Sequence, residues 1–231
     1  MAQKTWEIDK REFFKRLHCS EEEFERQLFV PEVKKVRHIV PLRNLAHVES
    51  IMPISKTMLK RTISKILTLD GARPFEHATP VLCRVDPREL RIGQKYIYRE
   101  NYQNLLENLS GLFDHFAIEG SVTSLAPHFA FGLDSDGIPS LAFYLPPIIE
   151  QHNNELVIMD GIHRDYIVKQ LGGTILAILI PRVSIPFPCG IHPWSDVQVI
   201  GANDKPPNIE DRYFELNKNL FRNLKYLGID G

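Results

Sequence analysis

Residues Glu155 to Ile180 read ELVIMDGIHRDYIVKQLGGTILAILI, and this stretch decides the fold. Leu156 to Met159 form an apolar run of strand length that ends directly in Asp160-Gly161. An amphipathic segment follows at once, with Ile167, Val168 and Leu171 at core spacing, and stops at Gly172-Gly173. A second apolar strand runs from Thr174 to Ile180. A strand, a tight turn carrying Asp160, His163 and Arg164, then a helix is an arrangement suited to holding an anion. Glycine lets the backbone approach a ligand closely. The amides of the first helical turn lack intrahelical acceptors and point outward. Arginine can clamp two oxygens at once.

Outward from the turn, the chain is read as alternating strands and helices. Thr79 to Val85, Lys95 to Arg99, His128 to Leu133 and Ser140 to Glu150 are expected strands. The third and fourth of these flank Asp134-Ser135-Asp136-Gly137 and read as a hairpin. A calcium loop is the weaker reading of that tetrapeptide, because the closing glutamate is missing. Asn101 to Phe116 is an expected helix, with Leu105, Leu109, Leu112, Phe113 and Phe116 at helical spacing. The first third is expected to be helical. Ile8 to Leu17 forms one segment, a second follows the Ser20-to-Glu23 capping box, and a third spans Lys56 to Leu69. A Pro-rich loop (181–193), a short strand near Val197–Val199 and a last helix from Ile209 to Leu227 complete the chain.

The bounds set by composition are ordinary. The chain has 231 residues, 43% apolar and 25% charged, with a net charge of −1. That length can bury a proper core. The charge excludes a global basic field that would pull the whole chain onto nucleic acid, although a local basic patch is still allowed. Cys19, Cys83 and Cys189 are far apart and lack CxxC spacing, which argues against a disulfide scaffold and a cysteine zinc site. No apolar signal core and no membrane-length run is present, so a cytoplasmic, reducing setting is expected.

Each residue of the turn has a plain reading beside the functional one. Asp160 can be the helix N-cap, or a carboxylate that holds a metal or accepts a proton. His163 can be an idle helix-start histidine, or a group that binds phosphate or moves a proton. Arg164 can pair with Asp165 or Glu155, or bind phosphate in a bidentate way. Elsewhere, Glu150 and Glu155 flank a short turn and read as surface charge. Cys189 and His192 are three apart without an orienting third group, so reactive chemistry is disfavoured there. The basic face Lys56, Lys60, Arg61 and Lys65 reads as a solvated helix face, with nucleic acid as the alternative.

The segment from Leu145-Pro146-Pro147 through the Asp160–Arg164 turn to Ile180 resembles the ParB/sulfiredoxin superfamily. The resemblance covers about forty of the residues and includes the order of strand, turn, strand, Asp-Gly-x-His-Arg, helix, Leu-Gly and strand. It implies an α/β (α+β) domain with a mixed sheet and packed helices at 78–200. A helical extension at 1–77 would precede it, and a packed C-terminal helix at 201–231 would follow. It also implies a nucleotide phosphate site, with Gly161, Ile162, His163 and Arg164 contacting ATP or CTP. Asp160, His163 and Arg164 would be the catalytic positions, and Mg2+ would sit near Asp160.

Members of that superfamily include CTP-dependent DNA clamps, a serine kinase, the reductase of sulfinylated peroxiredoxin and nuclease-like proteins. The reductase has its nucleophilic cysteine where this chain has Ile162, so sulfur chemistry is not expected. The clamps' later Glu-Asn-x-x-Arg box and helix-turn-helix are absent after residue 181, which weakens a partition role. The leading expectation is a phosphotransferase or nucleoside triphosphatase. The alternatives are a DNA-binding or nuclease component and a non-catalytic adaptor. The state of assembly is left open, a homodimer included.

Overall fold

The computed structural model describes residues 6–28, 31–101 and 126–229. The expected helix at 101–116 therefore falls almost entirely outside the described residues. Strands run in chain order as β1 (Ile8–Asp9), β2 (His38–Ile39), β3 (Leu45–Pro53), β4 (Leu67–Thr68), β5 (Val81–Val85), β6 (Tyr96–Tyr98), β7 (His128–Asp134), β8 (Pro139–Tyr144), β9 (Ile148–His152), β10 (Glu155–Asp160), β11 (Ile175–Ile180), β12 (Gln198–Ile200) and β13 (Arg222–Asn223). The described α-helices are α1 (Lys10–Leu17), α2 (Glu21–Leu28), α3 (Lys56–Ser64) and α4 (Ile162–Gln170). The fold is mixed α/β. No described helix is long and apolar enough to cross a membrane.

The chain divides into two compact units that do not follow the expected sequential boundaries. The first takes residues up to Ala78, then Ala126–Leu145, then Asn223 onward. The second takes Thr79–Leu125 and Pro146–Arg222. The hairpin expected inside a 78–200 domain belongs instead to the N-terminal unit, because its strands complete that unit's sheet.

That sheet has the order β1-β2-β8-β7-β3. The β7–β8 hairpin forms with Asp134 at its turn, but the strand expected over Ser140–Glu150 breaks at Pro146-Pro147 into β8 and β9, which join different sheets. Asp134 Oδ1 accepts the amides of Asp136 and Ile138 at 2.9 and 3.0 Å, an Asx-type turn. β3 runs antiparallel to β7 with two register shifts. Gly132 makes this possible, since a Cβ there would lie 1.9 Å from the His47 carbonyl oxygen. The N-terminal third is thus not simply helical: β1 to β4 alternate with its helices. Aromatic side chains supply the core, and Phe13 and Phe24 of the helices meet Phe143 and Phe129 of the sheet at 5.8 and 5.2 Å. Helix starts are capped as their residue types allow. Asp9 accepts Arg11 N, Ser20 accepts Glu23 N and Ser55 accepts Met58 N. α3 stops at Ser64 rather than Leu69. Thr68 exchanges main-chain and hydroxyl bonds with Ala72 and so commits residues 67–72 to a turn.

The second unit holds a four-stranded sheet in the order β10-β9-β11-β5. β9 and β10 form an antiparallel hairpin, β11 lies parallel to β9, and β5 closes the far side antiparallel. β6 and β12 pair separately, in parallel. Leu90, Ile92, Ile97, Ile149, Ile158, Ile162 and Ala177 form its buried core.

The expected helix from Ile209 to Leu227 does not form. Short 3-10 turns at Glu210–Arg212, Lys218–Leu220 and Leu224–Leu227 take its place. Asparagines account for this. Asn217 Oδ1 accepts the Asn219 amide and Asn223 Oδ1 accepts the Tyr226 amide, so local side-chain bonds replace the helical ladder.

Candidate phosphate-binding turn

β10 carries a register shift between Ile158 and Asp160, so the strand bends as it reaches the turn. Gly161 follows in the left-handed region, with φ 92° and ψ 18°, and is the N-cap of α4. Asp160 is therefore not the cap. Gly161 offers no side-chain acceptor to the first turn. Its carbonyl accepts Arg164 N at 2.9 Å and Asp165 N at 3.1 Å, as expected for a helix start. The amides of Ile162 and His163 have no intrahelical acceptor by geometry. The glycine is required twice over. A side chain would be strained at that φ, and its Cβ would lie 2.9 Å from Arg164 Nη2 and 2.9 Å from Pro147 Cα.

Arg164 folds back over Gly161 and meets Asp160, with Nη2 3.4 Å from Oδ2. The pairings weighed from sequence are different: Glu155 instead meets Arg91 at 3.1 Å, and Asp165 is not bonded to Arg164. Ile162 is 5% exposed and packs in the core, so only its backbone amide can face a ligand.

His163 is committed. Its Nε2 accepts the backbone amide of Tyr98 at 3.1 Å, and its ring stacks on Tyr98 with centroids 5.9 Å apart. Burial pushes its pKa down to about 4, with the positive charges of Lys205 and Arg164 acting the same way. The ring is neutral at pH 7 with its proton on Nδ1, so Nδ1 is the atom left to donate. Lys205 Nζ sits 4.8 Å above the Tyr98 ring, and burial and Arg212 both lower its pKa. Arg164, Lys205 and Arg212 thus make the turn's surroundings locally basic.

Asp165 was not picked out by sequence reading. It is fully buried, and neither carboxyl oxygen has a hydrogen-bond partner among the described residues. Burial pushes its pKa up to about 8. Arg164 opposes that shift and Asp160 adds to it. At pH 7 it is a neutral acid in the first turn of α4, which follows the β10 strand that ends at Asp160. Its position in the first turn, where acids are common for dipole reasons, hid it.

The other candidates resolve as structure. Glu150 is not surface charge. It is fully buried and takes a two-pronged bond from Arg222, at 2.9 and 2.8 Å, with His152 Nε2 2.7 Å from the same carboxylate. Cys189 is partly buried, and desolvation pushes its thiol up to about 12, so it is a thiol rather than a thiolate. His192 pairs with Asp196 at 2.8 Å and stacks on Phe214 at 3.8 Å. On α3, Arg61 is bonded to Glu23 at 2.6 Å, so the basic face is partly neutralised. Near the turn, Asp160 is held by Arg164 at 3.4 Å. A separate group of potential metal ligands, Glu7, His38 and Asp134, lies in the first unit.

Comparison with family models, with curated proteins and with solved structures returns no match for this chain.

Proposed function

We propose that the Asp160–Arg164 turn binds the phosphate groups of a nucleotide, ATP or CTP, and that the chain is a phosphotransferase or nucleoside triphosphatase of the ParB/sulfiredoxin type. The observation that carries this reading is the left-handed Gly161, which opens α4 without a side-chain cap directly beneath Arg164. Helix-start amides and an arginine converge there, with Lys205 adding positive charge. In this reading Arg164 swings from Asp160 to phosphate oxygens. Asp160 would be the carboxylate to hold a magnesium ion, which would supply charge neutralisation to the phosphates. His163 acts by holding β6 against the helix start and can donate only from Nδ1. Calorimetry of the full chain with ATP and with CTP, in magnesium, tests this. Binding at millimolar affinity or better, lost in Arg164→Ala, is the expected result. No binding of either nucleotide by the wild type overturns it.

A second reading has its own observation. Lys10, Arg11, Lys34, Lys35, Arg37 and His38 line a groove of about 770 Å³ in the first unit. A groove of that charge suits a nucleic-acid backbone, which favours the DNA-binding or nuclease alternative. Its mark is DNA binding that weakens steeply with salt and is reduced by Lys35→Glu and Arg37→Glu. A non-catalytic adaptor would instead keep Arg164 on Asp160 whatever nucleotide is added.

A further inference from the structure

His38 sits in β2, opposite Asp9 of β1. Glu7 immediately precedes β1, and its Oε2 lies 3.6 Å from His38 Nδ1. Asp134 ends β7 and turns the hairpin, and it is 2% exposed. Three separate segments thus bring one imidazole and two carboxylates together. One ligand atom from each lies within 4.8 Å of the other two.

The Glu7–His38 distance does not suit hydrogen bonding. His38 Nδ1 is buried and has no hydrogen-bond partner, and it faces Glu7 Oε2 at 3.6 Å. That is beyond hydrogen-bond range. It is close to the edge of a tetrahedron built from metal–ligand bonds of about 2.0 Å, which is about 3.3 Å. The widest separation is no more than 4.8 Å. Glu7, whose side chain is 40% exposed, can close it by rotation. Asp134 already uses Oδ1 for the turn amides, which fixes where Oδ2 points.

We propose that Glu7, His38 and Asp134 form a binding site for a divalent transition-metal ion of the zinc class. Two carboxylates and a neutral imidazole balance a divalent charge. The imidazole favours zinc and its neighbours copper, nickel and iron over magnesium and calcium, which take oxygen ligands. Three protein donors leave at least one position for solvent or an exogenous ligand, the pattern of open rather than purely structural sites. His38 also lines the basic groove. Oxygen anions drawn in by Arg11, Lys35 and Arg37 are therefore the ligand class for that position. The site does not rest on the nucleotide reading, which concerns the other unit.

The test is zinc uptake by the tag-free full chain after chelator dialysis, measured by competition with a chromophoric chelator. The wild type is expected to take up one equivalent with micromolar affinity or better. Glu7→Gln, His38→Ala and Asp134→Asn should each weaken binding at least tenfold. Glu7→Gln alters a surface side chain and leaves the fold intact, so a loss there cannot be ascribed to unfolding. Cobalt(II) loading should give the visible bands of a tetrahedral site, absent in His38→Ala. No uptake by the wild type overturns the proposal. So does uptake that any of the three substitutions leaves unchanged.

Discussion

His163 Nε2 accepts the Tyr98 amide at 3.1 Å, so the first turn of α4 is tied to β6 by one half-buried neutral imidazole. The bond requires the ring to stay uncharged at that nitrogen. His163 has a folded pKa of about 4 against an ordinary 6.5. Above 6.5 both folded and unfolded forms are neutral and the contribution is whole. As pH falls from 6.5 to about 4, only the unfolded chain takes up the proton, and stability is lost. His163→Ala should cost about 1–3 kcal/mol at pH 7, the range for stranding a buried donor. It should also remove the decline in stability over that acid window. Chemical denaturation at a series of pH values reads both effects.

Asp165 slopes the other way. Its pKa is about 8 in the fold and 3.8 ordinarily, so between these values the unfolded chain releases a proton that the folded chain keeps. The contribution is complete below pH 3.8 and is lost as pH rises to about 8. Asp165→Asn cannot ionise. The variant should match the wild type near pH 4 and exceed it at pH 8 by roughly 1–3 kcal/mol, the scale of a buried polar penalty. Equal slopes in thermal melts of the two proteins would refute this assignment.

Gly161→Ala should destabilise the fold by about 2 kcal/mol or more. The left-handed φ alone costs roughly 1–3 kcal/mol for a side-chain-bearing residue. The new Cβ would also sit 2.9 Å from Pro147 and from Arg164. The second contact can relax by displacing the guanidinium and the first cannot. Urea midpoints measure the change.

The Glu150–Arg222 pair fastens the end of the 181–222 segment to β9. Removing one partner strands a buried charge, so Arg222→Met should cost about 3–5 kcal/mol. The double variant Glu150→Leu with Arg222→Met should recover most of that loss, since a buried pair replaced by apolar groups is often neutral. A double-mutant cycle in denaturant would show this as strong coupling.

Much of the second unit was legible because its signals are local. Apolar runs at 156–159 and 175–180, the Asp160-Gly161 stop and the Gly172-Gly173 end map onto β10, α4 and β11 almost residue for residue. The β7–β8 hairpin was legible for the same reason. Its home was not, because pairing with β3 and β2 is a long-range choice that periodicity does not encode. The tail misled for a physical reason: its apolar residues permit a helix, and Asn217 and Asn223 redirect the backbone. At the turn, residue types are read as an anion site. Which partner each side chain would take depended on Tyr98 and Lys205, far away in sequence. Glu150 looked like surface charge for the same cause, its partner Arg222 being 72 residues on.

The interleaving of the two units has a consequence for biosynthesis. β3 has its strand partner in β7, and β2 pairs with β8, so a fragment ending at Ala78 exposes two unsatisfied sheet edges. On the ribosome, the first unit waits for Asn223 onward before it is complete, long after its opening helices have emerged. During that interval Phe13, Phe14 and Phe24 lack Phe129 and Phe143 to pack against. Folding yield should therefore depend on holding chaperones more than the stability of the finished fold would suggest.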